Sequence, residues 1–264
     1  MQEVKREGVD IMIALDLSNS MNAEDLTPNR LERSKRAIQQ FIDQLKSDRI
    51  GIVIFGGQAY TQLPITTDYA AAKLFLSTIN TGIIPTQGTA IGAAIDVCMD
   101  AFNFESPSSK SIIIITDGEN HEDDATGAAQ NAAQKGVNVH TIGVGSPQGA
   151  PIPIYRGRQQ TGFRQDKDGN TVVTKLNEEM LKEIATAGNG IYVHATNSNS
   201  GLKFILEEID NLEKTELGSK VYTDYEDRFQ FPIGLAIILL LIELLLSNKK
   251  STKFNTEKLF AVKK

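Results

Sequence analysis

The sequence predicts an α/β fold, a doubly wound and mostly parallel sheet flanked by helices, with one transmembrane helix near the C-terminus. Three observations predict it. The runs Val9–Leu15, Arg49–Phe55 and Ser111–Thr116 are apolar without strict alternation, as strands covered on both faces are. Amphipathic stretches with apolar residues three and four apart stand between such runs, and that alternation gives a parallel sheet with right-handed crossovers. Finally, Phe229–Leu246 (FQFPIGLAIILLLIELLL) is nearly all apolar.

Each element has its own warrant. Val9–Leu15 is the first strand, and Pro28-Asn29 opens a helix to about Lys46 with Leu31, Ile38, Phe41, Ile42 and Leu45 inward. Arg49–Phe55 is the second strand. Ala59–Leu63 has the character of a short antiparallel edge closed by Pro64. Helices follow at Asp68–Thr78 and Ile91–Phe102, then the strand SIIIIT, a helix at Asp124–Lys135 and a strand at Val137–Val144. Prolines 147, 151 and 153 interrupt this rhythm and predict a protruding hairpin excursion over about 146–175, with its turn at Asp168-Gly169-Asn170. A helix at Asn177–Ala187, a strand at Ile191–His194 and a helix at about Leu202–Lys214 complete the domain.

The domain boundaries follow: a lead-in over 1–8, the α/β domain over 9–214, a polar connector over 215–228, a transmembrane helix over 229–247 and a basic tail over 248–264. As a helix, the 18 residues from Phe229 to Leu246 reach about 27 Å, at the short end of a bilayer span. Asp224, Glu226 and Asp227 precede them and Lys249, Lys250, Lys253 and Lys258 follow, which a membrane anchor uses and a core helix does not. Lysines on that side place the domain outside the cytoplasm. Met1–Gly8 carries no apolar export signal, so the expectation is that an upstream segment is missing.

Composition narrows the function. The 264 residues are 41% hydrophobic and 23% charged, ordinary for a globular chain. A formal charge of −6 argues against nucleic acid as a partner. The single cysteine, Cys98, lies on a helical apolar stripe and is expected to be packed core. No G-x-G-x-x-G follows the first strand and no phosphate-binding GxxxxGK[ST] occurs, so nucleotide readings are weak.

The chemistry gathers in three loops. Asp16, Ser18 and Ser20 form D-x-S-x-S at the end of the first strand, Thr89 sits in GTAIG, and Asp117 in TDGE at the end of the SIIII strand. Strand ends of a parallel sheet share one edge, where open α/β folds bind ligands. Two carboxylates and three hydroxyls are hard oxygen donors, suited to Mg²⁺, with Mn²⁺ or Ca²⁺ as alternatives. A shell rich in neutral hydroxyls leaves the ion under-neutralised and receptive to an acidic group. Taken singly, these residues are equally ordinary turn and cap residues.

Other candidates are weaker. His121, His140 and His194 lack metal-ligand spacing and are expected in surface or packing roles. The acidic run Glu119, Glu122, Asp123 and Asp124 is expected to serve a helix N-terminus. Arg30, Arg33, Lys35 and Arg36 have the pattern of a solvated basic helix face. Arg156, Arg158 and Arg164 on the excursion form the best secondary contact surface for a partner.

D16-L-S-N-S20, G88-T-A-I-G92 and T116-D-G-E119 resemble the metal-ion-dependent adhesion site of von Willebrand factor A-type domains, over about residues 8–214. The stretches EVKREGVDIMIAL, NRLER, APIP and YTDYED further resemble the bacterial aerotolerance (Bat) proteins. By that resemblance Ser18, Ser20 and Thr89 would touch the ion, with Asp16 and Asp117 often acting through water. The family implies a module of the bacterial inner membrane facing the periplasm, which binds partner proteins. Those include other Bat proteins and an AAA+ ATPase of the MoxR type. The leading expectation is therefore a non-enzymatic interaction module that takes a partner's acidic side chain. The alternatives are a Mg²⁺-dependent phosphohydrolase using Asp16 as nucleophile, which lacks the usual second Asp at position 18, and an anchor with a vestigial site.

Overall fold

Residues 8–119, 123–157, 159–197, 201–209 and 230–245 are described by the structure, a computed structural model. The chain divides into two compact units between Thr215 and Glu216.

The first unit is built on a six-stranded sheet. Its strands are β1 (Asp10–Asp16), β2 (Arg49–Phe55), β3 (Ala59–Thr66), β4 (Lys110–Thr116), β5 (Val137–Val144) and β10 (Asn189–Ala195). They lie in the order β10-β5-β4-β1-β2-β3, all parallel except β3, which pairs antiparallel with β2. The edge strand runs through Pro64 to Thr66 rather than stopping before the proline. An edge position tolerates the missing N–H because only one side of the strand needs a ladder.

Helices cover both faces, and the alternation within each strand explains how. In β1, Ile11, Ile13 and Leu15 face one way and Met12 and Ala14 the other. The first set joins Ile113 and Ile115 of β4 beneath α1 (Arg30–Ile42), α2 (Tyr69–Thr78) and α6 (residues 202–209). The second joins Ile112 and Ile114 beneath α3 (Ile91–Ala101), α4 (Ala125–Gln134) and α5 (Glu178–Ala187). A strand buried on both faces has no polar side, which is why Ile112–Ile115 is an unbroken apolar run. Cys98 packs within the second layer, where burial pushes its thiol pKa up.

The excursion is two hairpins rather than one. β7 (Pro153–Arg156) pairs with β8 (Gln159–Phe163) around a turn containing Gly157, while β6 (Ala150–Pro151) pairs with β9 (Val173–Thr174) at the base. The expected Asp168-Gly169-Asn170 turn forms as a second tip, with Asp166 Oδ1 accepting from the N–H groups of Asp168 and Asn170 at 2.9 Å each.

In the second unit, α7 (Gln230–Leu245) is 16 residues long. Among the described residues no helix is long and apolar enough to cross a membrane, and the expected span over 229–247 reaches beyond those residues at both ends. Residues 229, 246 and 247 lie outside the described residues, as do the connector, the tail and positions 1–7 of the lead-in.

Candidate metal centre

Consecutive connections leave β1 in opposite directions along the sheet: β2 lies on one side of it and β4 on the other. The carboxyl ends of β1 and β4 therefore border the crevice where an open α/β sheet admits a ligand. Asp16 ends β1, and Asp117 directly follows Thr116, the last residue of β4.

Beyond Asp16 the chain turns immediately, with a 3₁₀ turn at Asn19–Asn22 in place of an extended loop. That turn brings Ser18 Oγ within 2.8 Å of Ser20 Oγ, and Asp16 Oδ1 accepts from the Ser18 N–H at 2.7 Å. Across the sheet, the Thr116 hydroxyl donates to Asp16 Oδ2 at 2.6 Å. Thr89 approaches from the far side of β1. Ala90 donates to the carbonyl of Gly56, one residue past the β2 position that pairs with Asp16. Asp16, Ser18, Ser20, Thr89 and Asp117 are all buried.

The electrostatics are uneven. Burial and then the nearby Asp117 charge push Asp16 up to about 7, against hydrogen bonds from Thr116 and Ser18. Asp117 instead meets a wholly buried cation: Arg30 Nη1 donates to its Oδ2 at 2.8 Å. Arg30 also forms a fork on Asp25, with Nε and Nη2 at 2.9 and 2.8 Å. Burial works to raise Asp25, but the bonds and charge of Arg30 hold it below the ordinary carboxylate range. Lys35 is buried too, its ammonium on Glu32 and the Ile79 carbonyl, both at 2.8 Å. The basic helix face expected at Arg30, Arg33, Lys35 and Arg36 is thus split: Arg30 and Lys35 are internal, held by Asp25 and Asp117 and by the end of α2, while Arg33 is half-buried and Arg36 exposed.

A divalent cation fits this donor set. Its members are hard oxygens, and burial, with the Asp117 charge second, pushes the Asp16 carboxyl pKa up, a condition a cation relieves. Among the described residues no group of three or more His, Cys, Asp or Glu could hold an ion, so any ion here depends on the hydroxyls. Ser18, Ser20 and Thr89 would supply those.

The remaining candidates separate. His140 is buried in β5 and His194 bonds the Gly145 carbonyl at 2.9 Å, both packing roles. His121, Glu122 and Arg158 lie outside the described residues. Arg156 and Arg164 are exposed on the excursion. In the acidic run, Glu119 accepts from Thr174 and the Lys175 N–H, both at 3.0 Å, and Asp124 caps α4. Asp123 reaches instead to the Gly92 and Ala93 N–H groups at the start of α3. Sequence reasoning missed Arg30, Asp25, Thr116 and Thr174 as neighbours of the site. Only Thr116, adjacent to Asp117, carried a local signal.

The von Willebrand factor type A domain matches this chain over residues 11–119, a span holding all five candidate ligands, and again over 171–194. The crystal structure of BatB from Bacteroides thetaiotaomicron is 50% identical, covering 78% of this chain and 100% of that one with a TM-score of 0.75. The chain belongs to the von Willebrand factor type A family and is BatB-like. A second neighbour is an aerotolerance-related membrane protein from Bacteroides fragilis, 50% identical over 77% of this chain and 100% of that one, TM-score 0.73. An uncharacterised protein of Borreliella burgdorferi is 29% identical over 246 residues, 91% of this chain and 69% of its own length. A UPF0353 protein of Mycolicibacterium paratuberculosis is 29% identical over 72% of this chain, which spans only 56% of that relative. Proximal thread matrix protein 1 of the mussel byssus, solved with a zinc-occupied MIDAS motif, shares the type A fold at 18% identity over 79% of this chain and 46% of that one, TM-score 0.54.

Proposed function

We propose that this type A domain is a membrane-associated interaction module that captures a partner protein through a divalent cation. Asp16, Ser18, Ser20, Thr89 and Asp117 hold the ion, and an Asp or Glu of the partner completes its shell. The observation that carries this reading is the buried pair Ser18 Oγ–Ser20 Oγ, 2.8 Å apart, beside a buried Asp16 that meets no cation among the described residues. Mg²⁺, or Mn²⁺ in its place, supplies Lewis acidity toward a carboxylate when bound. The chain's own residues shape the rim: Thr116 and the Ser18 N–H fix the Asp16 carboxylate, while Arg156, Arg158 and Arg164 on the excursion offer positive charge to an acidic partner.

Family likeness supports a role in aerotolerance, alongside other Bat proteins and a MoxR-type AAA+ ATPase as partners. The name of the Bacteroides fragilis neighbour, a membrane protein, supports association with a membrane, and the family likeness supports the bacterial inner membrane. In that reading 229–247 is the anchor and the domain faces the periplasm.

A non-catalytic role fits Asp16 better than nucleophilic attack, since position 18, where a phosphotransferase of that type carries a second Asp, is Ser18. Pull-down from native membranes tests the proposal: Asp16→Ala is expected to abolish divalent-dependent capture while the folded domain persists. Capture undiminished in excess EDTA would overturn it. Phosphatase activity of the purified chain, lost in Asp16→Asn, would replace it with the hydrolase reading.

A further inference from the structure

We infer that Arg30 is a positioning residue of the candidate metal centre, one that makes the centre discriminate against Ca²⁺. The inference rests on the reading that the five oxygen-bearing side chains hold a divalent cation, and it deepens that reading by naming which cation the surroundings admit.

Arg30 opens α1 and has no exposed surface. Its guanidinium works as a bridge. One side is forked onto Asp25, and the other, Nη1, donates to Asp117 Oδ2 at 2.8 Å and to Thr174 Oγ1 at 3.1 Å. Thr174 Oγ1 lies 2.9 Å from the same Asp117 oxygen and 3.0 Å from Glu119 Oε1. Space for the bridge comes from Gly145, whose φ is +126°: a Cβ there would sit 2.6 Å from the guanidinium carbon. Asp25 is held from its other side by the Ser146 N–H at 2.7 Å.

One oxygen of Asp117 is thereby committed to protein donors, leaving Oδ1, which among the described residues takes a long 3.3 Å bond from the Glu119 N–H. Asp16 is restricted too: each of its oxygens accepts one short hydrogen bond and keeps a single lone pair for an ion or its water. Neither carboxylate presents two free oxygens to an ion. Ca²⁺ takes six to eight oxygens and commonly draws both from one carboxylate, whereas Mg²⁺ takes six, one from each ligand, and keeps waters. A centre whose acids can each give one oxygen suits the smaller ion. Lysine cannot reproduce the bridge, because a single ammonium lacks the fork that spans Asp25 and Asp117 together.

The test is calorimetric titration of the 264-residue chain with MgCl₂ and, separately, with CaCl₂. It compares the native chain with Arg30→Lys, Asp25→Asn and Thr174→Val, each checked for folding by its thermal melt in EDTA. The native chain is expected to favour Mg²⁺. Arg30→Lys is expected to shift the Ca²⁺-to-Mg²⁺ affinity ratio about tenfold toward Ca²⁺. Asp25→Asn and Thr174→Val are expected to shift it in the same direction, and they decide the matter if Arg30→Lys does not fold. Loosening of the fold alone would weaken both ions alike and leave the ratio where it was. An unchanged ratio in folded variants that still bind Mg²⁺ overturns the role of Arg30 and leaves the metal reading standing. No binding of either ion by the native chain overturns both.

Discussion

His140 points into the core from β5, its Nδ1 accepting from the Ile191 N–H at 3.2 Å and its Nε2 without a partner among the described residues. Burial pulls its pKa down to about 4 from 6.5. The folded state therefore binds this proton less readily than the unfolded chain. Stability from this group is complete above about 6.5 and is lost as pH falls toward about 4, on the order of 2–3 kcal/mol. Urea midpoints between pH 7 and 4 check this, and His140→Gln is expected to flatten that acid limb. Beside the candidate ligands, Gly118 holds φ +76°, where a Cβ would lie 2.8 Å from the Asn177 carbonyl oxygen. Gly118→Ala combines strain with a clash against backbone and is expected to cost about 2 kcal/mol in thermal unfolding. The first three ligands were legible because they fall within five residues of one strand end. Arg30 was not, since its partner Asp117 is 87 residues away and nothing in helical periodicity marks a cation for burial.

Elements here are finished by residues that belong to other elements. The residue before α3, Ala90, makes no side-chain cap, and the first turn is served by Asp123 from the segment before α4. Asp123→Ala is expected to cost about 1–2 kcal/mol, read as a lowered urea midpoint with unchanged slope. At the opposite edge of the sheet, buried Asp10 on β1 takes a fork from Arg49 on β2 at 2.6 and 2.7 Å and a hydroxyl from Ser108 at 2.9 Å. Arg49 is itself partly exposed, so solvent offsets part of the pair. Arg49→Met is expected to destabilise by about 1–2 kcal/mol, with the loss surviving high salt because Asp10 is shielded. Strand and helix positions in the sequence were readable from apolar periodicity. The two-hairpin excursion was only half readable: prolines announced the break, but Gly157 carries too little local signal to mark a second tip.

The whole domain is one sheet between two helical layers, and β4 lies at its centre, touching both. Ile113 is fully buried in the layer beneath α1. Ile113→Ala leaves a cavity that close-packed neighbours cannot fill and is expected to cost about 3 kcal/mol in a single cooperative transition. The sequence by itself determined the α/β class, the six main strands and the three loops rich in oxygen donors, because each is written in patterns no longer than a strand or a helix. Only the tertiary structure decided what those loops meet. Buried Arg30 against Asp117, Thr116 against Asp16, and Thr174 at the base of the excursion against Arg30 and Asp117 arise from residues 57 to 144 positions apart. Chain order does not encode such juxtapositions locally, since they follow from which strands become neighbours once the sheet is closed by its helices.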